Sequence, residues 1–152
     1  MKILIIDDDK VDRASLKRDL RNTNLVSEIV EEGTGLLGIE RFKQESFDCV
    51  LLDYFLPDKK GSEVLQELVR IGGEFISVIA ITGTASETIP EIMIKAGASD
   101  YLIKDEINTR ILERVLRFVL KKKHHQKIYE ERLRVLTEKL EVSNKKLEKL
   151  AN

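Results

Sequence analysis

Short apolar runs alternate with helically spaced segments through the first two thirds of the chain. The runs are Lys2 to Ile6 (KILII), Phe47 to Leu52 (FDCVLL), Ile76 to Thr82 (ISVIAIT) and Tyr101 to Ile103 (YLI), with a weaker one from Ser27 to Val30. They are β-branched or leucine-rich and continuous rather than alternating, as in parallel strands covered on both faces. Between them the apolar residues recur at helical spacing: Val11, Leu16 and Leu20; Leu36, Ile39 and Phe42; Val64, Leu65, Leu68 and Val69; Ile89, Ile92, Met93 and Ala96. Ser62 and Ser86 stand at expected N-caps, and Pro90 falls in a first helical turn, where a missing N–H is harmless. A β-α unit repeated five times, with right-handed crossovers, predicts an α/β fold: a doubly wound five-stranded parallel sheet between two layers of helices.

From Thr109 the pattern changes. No Gly or Pro occurs through Asn152, and apolar residues recur every three or four positions. With Leu112, Val119, Gln126, Leu133, Leu140 and Leu147 at a, the d positions are Val115, Lys122, Tyr129, Leu136, Ser143 and Leu150, so nine of twelve seam positions are apolar. The spacing predicts a last domain helix that runs on as a coiled coil from about Tyr129, some 60 Å in all at about 1.5 Å per residue. The expected division is a domain over residues 1–120 and a helical extension over 121–152. A homodimer through this extension follows, its seam weakened by Lys122, Gln126 and Ser143. A solitary amphipathic helix is the competing reading.

Length and charge sharpen that division. The 152 residues, 42% hydrophobic and 35% charged, suffice for one packed domain and some forty residues beyond it. Residues 1–107 carry 13 Lys and Arg against 21 Asp and Glu, a net charge of −8, whereas residues 108–152 carry 13 against 6, a net charge of +7. No apolar run approaches the roughly 20 residues of a membrane span, and Met1-Lys2-Ile3 leads into a strand without a signal-peptide pattern, so no membrane is expected and the reading is cytoplasmic. The single cysteine, Cys49, sits within a strand run as a small core residue. Both histidines, His124 and His125, lie late in the chain, which removes zinc and serine-histidine chemistry from residues 1–123.

Candidate chemistry gathers at strand ends. Asp7, Asp8 and Asp9 follow the first strand, Asp53 the third, Thr82 closes the fourth and Lys104 follows the fifth. In an open parallel sheet, ligands collect beyond the carboxyl ends of strands where the winding reverses. Clustered carboxylates there must bind protons or share a cation, and an all-oxygen set without His or Cys suits Mg²⁺. A metal, a lysine and a hydroxyl together hold phosphoryl groups.

With IIDDD at 5–9, LLDYFLPDKKG at 51–61, ITGTAS at 81–86 and AGASDYLIKD at 96–105, in that order, the sequence resembles the response-regulator receiver domain over roughly residues 1–120. The resemblance implies a flavodoxin-like strand order 2-1-3-4-5. It implies Asp53 as phosphoacceptor, and Asp7 and Asp8 as an acidic pair that, with Asp53 and the Phe55 carbonyl, binds Mg²⁺. Thr82 and Lys104 would engage the phosphoryl oxygens, Tyr101 would be the switch aromatic, and Asp9 would be a third acid of uncertain use. The implied partner is a sensor histidine kinase or phosphotransfer protein, and the implied chemistry is self-phosphorylation and autodephosphorylation on Asp53. Bulky Phe55, two residues past the acceptor, predicts a longer-lived phosphoryl group than a polar residue there. One departure is that Asp105 follows Lys104 where the family usually has proline with a cis bond. The expected consequences are a different loop before the last helix, no safe transfer of cis geometry, and an acidic neighbour competing for Lys104.

The same residues admit other readings. Gly33 to Gly38 (GTGLLG) matches GxGxxG, with Asp53 twenty residues past Gly33, as in a dinucleotide-binding domain. Glu31 and Glu32 would repel a pyrophosphate, so the glycines are read as a turn with close helix packing. Lys121 to His125 is basic but lacks aromatics to stack bases, which points to a solvated helix and no nucleic-acid partner. LEVSNKKLEKLAN at the end is similar to helices joining receivers to histidine kinase or diguanylate cyclase domains, so an excised regulatory domain stands beside a complete single-domain regulator.

Overall fold

A computed structural model of the chain describes residues 1–73, 75–83 and 88–151. The elements run β1 (Lys2–Ile6), α1 (Lys10–Asn22), β2 (Glu28–Glu32), α2 (Gly35–Gln44), β3 (Cys49–Asp53), α3 (Gly61–Gly72), β4 (Val78–Thr82), α4 (Thr88–Ala96), β5 (Asp100–Ile103), a 3₁₀ turn (Lys104–Glu106) and α5 (Thr109–Ala151). The sheet is parallel throughout, in the order β2-β1-β3-β4-β5. The winding reverses between β1 and β3, which the carboxylate argument required.

Continuous apolar strands earn their place by filling both layers at once. Ile3 and Ile5 of β1, Leu51 of β3 and Ile79 and Ile81 of β4 pack with Leu16 and Leu20 of α1 and Leu112, Val115, Leu116 and Val119 of α5. The alternate residues Leu4, Ile6, Val50, Leu52, Val78 and Ala80 pack with Ile39, Val64, Leu65, Leu68 and Met93 of α2, α3 and α4. Cys49 is buried in the first of these layers. Two compact units result, Met1–Val119 and Leu120–Asn152. No helix is long and apolar enough to cross a membrane among the described residues.

The structure moves several expected positions. β2 extends through Glu31 and Glu32, because Arg13, Lys17 and Arg41 neutralise them by ion pairs at 3.2, 3.0 and 2.9 Å. Helix α3 begins at Gly61, with Lys60 at its N-cap and no side-chain cap, so Ser62 does not serve there. Ser86 lies outside the described residues. Val11 and Leu36, though on helical spacing, are exposed.

Two glycines are set by close approach. A Cβ on Gly38 would stand 2.4 Å from Ile6 Cδ1, so this glycine lets α2 lie against β1. A Cβ on Gly61 would meet Tyr54 Cα at 2.6 Å and the Asp53 carbonyl oxygen at 2.7 Å, both backbone atoms that cannot turn aside. Gly33 has nothing nearer than the end of the Arg13 side chain at 3.7 Å. Gly61→Ala is expected to lower stability by about 1–3 kcal/mol in urea titration, and Gly33→Ala to change it little.

Candidate functional site

The site is built by strand register. Ile6 pairs with Leu52, Asp53 with Ile81 and Thr82 with Ile103, so the residues at or just past the ends of β1, β3, β4 and β5 lie side by side. Asp7, Asp53 and Thr82 are buried, at 1%, 4% and 2% exposure. Lys104 reaches into this row: its Nζ stands 2.9 Å from Asp53 Oδ2, 3.0 Å from Asp7 Oδ2 and 2.7 Å from Asp12 Oδ2.

One oxygen from each of Asp7, Asp8 and Asp53 can be brought within 4.8 Å of the others, with Asp8 exposed. Asp7 Oδ1 accepts the Asp9 N–H at 2.9 Å, while buried Oδ2, though in ion-pair range of Lys104, has no hydrogen bond. An underused buried carboxylate oxygen in an all-oxygen cluster fits a hard divalent cation that keeps part of its water. The Phe55 N–H donates to Asp53 Oδ1 at 3.2 Å, which puts the Phe55 main chain next to the candidate acceptor. The Phe55 ring is exposed and lies edge-on to Tyr54, 4.9 Å between centroids.

Tyr101 pairs with Ala80 and Ile103 with Thr82. Strand alternation therefore places Tyr101 and Thr82 on the same sheet face, opposite to Ile81 and Leu102. Tyr101 is half exposed and borders a groove of about 270 Å³ shared with Ile107, Ile111 and Arg114.

Two readings change here, those of Asp9 and Asp105, and the expectation that cis geometry does not carry over to Lys104–Asp105 holds. Asp9 is the N-cap of α1, its Oδ1 accepting from Val11 and Asp12 N–H at 2.8 and 3.1 Å, and these bonds hold its carboxyl below the usual carboxylate range. The acid that shares Lys104 is Asp12, not neighbouring Asp105, which the 3₁₀ turn leaves exposed. No cis peptide bond occurs among the described residues, Lys104–Asp105 included. Asp12 went unread in the sequence, although its place in the first turn after β1 sets it at the same edge of the sheet as the strand ends.

Burial pushes the Asp53 carboxyl up to about 6; Lys104 opposes this and the Asp7 charge adds to it. Burial also works to lower the pKa of Lys104, but its contacts with Asp12, Asp53 and Asp7 outweigh that, so the ammonium is held above the ordinary lysine range. The site is thus a fixed cation facing a carboxylate, Asp53, whose charged form burial disfavours.

Comparison with known proteins gives the class and then the family. Structurally, the chain is similar to a CheY-like response regulator receiver domain protein from Methanospirillum hungatei, with TM-score 0.69, 28% identity, and coverage of 82% of this chain and 97% of that one. It has the same fold as the receiver domain of the sensor histidine kinase PA1611 from Pseudomonas aeruginosa, whose crystal structure has magnesium coordinated in the active-site cleft (TM-score 0.69, 24% identity, 78% and 96% coverage). In sequence it is 30% identical over 103 residues to the probable C4-dicarboxylate response regulator DctR of Bacillus subtilis, covering 68% of this chain and 45% of that protein. The family profile described as response regulator receiver domain matches residues 3–116. The chain belongs to the response regulator receiver family and carries a two-component receiver domain. It spans less than half the length of the curated relatives it matches.

Because the folded-state pKa of Asp53 lies above its ordinary value of 3.8, folding takes up a proton between about pH 4 and 6. Its contribution to stability is present below that window and is lost as pH rises through about 6. In EDTA, Asp53→Asn is therefore expected to be more stable relative to wild type at about pH 7.5 than at about pH 4.5, by on the order of 2 kcal/mol in urea midpoints. Parallel pH profiles for the two proteins would refute the assignment of the raised pKa to Asp53.

Proposed function

We propose that Asp53 accepts a phosphoryl group from a partner sensor histidine kinase or phosphotransfer protein, and that the resulting change leaves the domain through α5. The observation that carries this is the convergence of Asp53 with Asp7, Asp8 and Lys104, with Lys104 Nζ 2.9 Å from Asp53 Oδ2.

An Asp53 oxygen attacks phosphorus; the P–N bond of a phosphohistidine breaks and the imidazole leaves, giving an acyl phosphate on Asp53. Asp7, Asp8, Asp53 and the Phe55 carbonyl would hold Mg²⁺, whose positive charge offsets that of the transferring oxygens when it is bound. Lys104 supplies a fixed ammonium 2.9 Å from Asp53 Oδ2 and keeps that carboxylate oriented before transfer. The Thr82 hydroxyl, buried at the end of β4, is the donor that the new phosphoryl oxygens recruit. Tyr101, on the same sheet face, then turns inward from its half-exposed position toward the space Thr82 leaves. A contact made only after phosphorylation biases a two-state equilibrium of this face.

With acetyl phosphate and Mg²⁺, wild type is expected to gain the mass of one phosphoryl group, and Asp53→Asn none. In the same assay Phe55→Asn should lose the group several-fold faster than wild type, because the exposed ring shields the acyl phosphate from water. Phosphorylation that persists in Asp53→Asn would overturn the proposal.

The second unit supports self-association through its seam. Leu133, Leu136, Leu140, Leu147 and Leu150 are all exposed along one stripe of α5. The g positions flanking it, Arg132, Lys139 and Lys146, are basic, whereas the e positions Thr137, Asn144 and Ala151 are uncharged. Antiparallel pairing sets g against g′ and brings these cations together; parallel pairing sets g against neutral e′. The proposed partner is a second copy of this chain, parallel and in register. Gln126→Cys and Ser143→Cys lie about 25 Å apart along the helix. Each is expected to cross-link to its own copy on oxidation, with wild type, whose Cys49 is buried, as the blank. Light scattering that shows a monomer removes the dimer; a dimer cross-linking at no more than one of the two positions removes the parallel arrangement.

A further inference from the structure

The GTGLLG segment, which matches a phosphate-binding fingerprint in letters, already holds an anion in this fold, and the anion comes from the chain itself. At the N-terminus of α2 the amides of Gly35 and Leu36 donate to Asp58 Oδ1 and Oδ2 at 2.8 and 2.9 Å. The next amide, of Leu37, donates to Thr34 Oγ1 at 3.1 Å, and that of Gly38 to the Thr34 carbonyl at 3.0 Å. The orphan donors of this helix end are therefore committed, and no pyrophosphate can take them without displacing Asp58. Desolvation works to raise the pKa of exposed Asp58, but hydrogen bonds from the Leu36 and Gly35 amides, with those of Asp58 and Lys59, outweigh it and hold the carboxyl below its usual range.

Asp58 is not a local cap. It sits on the loop that leaves Asp53, 22 and 23 residues along the chain from the amides it holds. The base of that loop is closed by a bridge between Phe55 and Lys60 and by the Gly61 N–H on the Tyr54 carbonyl at 2.7 Å. Its start is fixed by the Phe55 N–H on Asp53 Oδ1. The far side of the loop has its anchor in the bidentate grip of Asp58 on α2.

We propose that Asp58 is a positioning residue of the phosphoacceptor site: by fastening the β3–α3 loop to the N-terminus of α2, it sets the Phe55 main chain against Asp53. The inference rests on the reading of Asp7, Asp8, Asp53 and the Phe55 carbonyl as a cation site. Thr34 supplies the control, because its hydroxyl caps the same helix end through the local Leu37 amide.

Mg²⁺ binding by titration calorimetry, alongside urea stability, tests the proposal in wild type, Asp58→Ala, Asp58→Asn, Thr34→Ala and Asp53→Asn. Asp58→Ala is expected to weaken Mg²⁺ binding by roughly tenfold, as loss of a supporting partner does at a metal site. Asp58→Asn, which keeps one acceptor oxygen, should fall between it and wild type, and Thr34→Ala should lose stability while binding Mg²⁺ as wild type does. If Asp58→Ala does not fold, the Asp58→Asn and Thr34→Ala pair decides alone. Equal affinities in Asp58→Ala and Thr34→Ala would overturn the positioning role, and equal losses in Asp58→Ala and Asp58→Asn would assign the effect to charge rather than tethering. Wild-type Mg²⁺ binding that is absent, or unchanged by Asp53→Asn, would instead overturn the site reading beneath it.

Discussion

Lys104 holding three carboxylates is the interaction on which the site depends. Asp7 and Asp53 sit at the ends of strands whose other residues are almost wholly excluded from water, so their charges are costly where they lie. Burial favours a proton on Asp53 and the charge of Asp7 beside it adds to that; an ammonium 2.9 Å from Asp53 Oδ2 reverses part of the preference. Asp53 is left between the two outcomes, its carboxyl raised to about 6 yet oriented by a cation. A carboxylate in that position stays close to the bulk of its ionised population at neutral pH and has a fixed counter-charge on one side. That is the condition a nucleophile needs when its target carries negative oxygens.

The sheet order supplies this geometry and the local sequence only decorates it. Because β1 and β3 are neighbours, Asp7 and Asp53 meet; because β5 is next to β4, Lys104 comes in beyond Thr82. None of these adjacencies is a property of any one segment. Alternating strands and helices with right-handed crossovers are compatible with more than one strand order, and the order 2-1-3-4-5 came with the resemblance to the receiver family; with it, the strand ends were legible as a site before any distance was known. The continuous runs in β1, β3 and β4 were legible because strands covered on both faces leave no alternation to mislead. The apolar run of β2 ends at Val30, and the place of Glu31 and Glu32 in the strand is made good by arginines and a lysine on α1 and α2 that only the fold brings near.

Asp12 and Asp58 were illegible for a different reason. Asp12 finds Lys104 across 92 positions of sequence, and Asp58 finds Gly35 across 23. Neither pairing has a periodicity or spacing that would announce it. Asp105 was the natural competitor for Lys104 on adjacency alone, but the 3₁₀ turn that starts at Lys104 turns its side chain to solvent. Proximity along the chain therefore misled where the backbone changes direction. The Gly33 to Gly38 segment, read as a turn with close helix packing, does hold an anion at its helix end, but that charge is a carboxylate from the β3–α3 loop, which the letters of the motif do not announce.

The second unit inverts the relation between pattern and structure. Its helix was plain from the sequence, and its own coordinates add intrahelical pairs: Arg134 with Glu131 and with Glu138, and Gln126 with Glu130. Such exposed pairs are screened by solvent and count for little beside about 1.5–3 kcal/mol for full burial of each seam leucine. Residue types along the helix thus favour its formation weakly, whereas Leu133, Leu136, Leu140, Leu147 and Leu150 in a row gain most from being covered. In the proposed dimer, charge on either side of the row would decide how. Basic g positions beside neutral e positions leave parallel pairing free of the repulsion that the antiparallel form would build in. A parallel pair also starts both helices from the same end, where each chain's receiver lies just upstream in sequence. A change in the first turns of α5, around Leu112 to Val119, would then reach both strands of the seam at the same level.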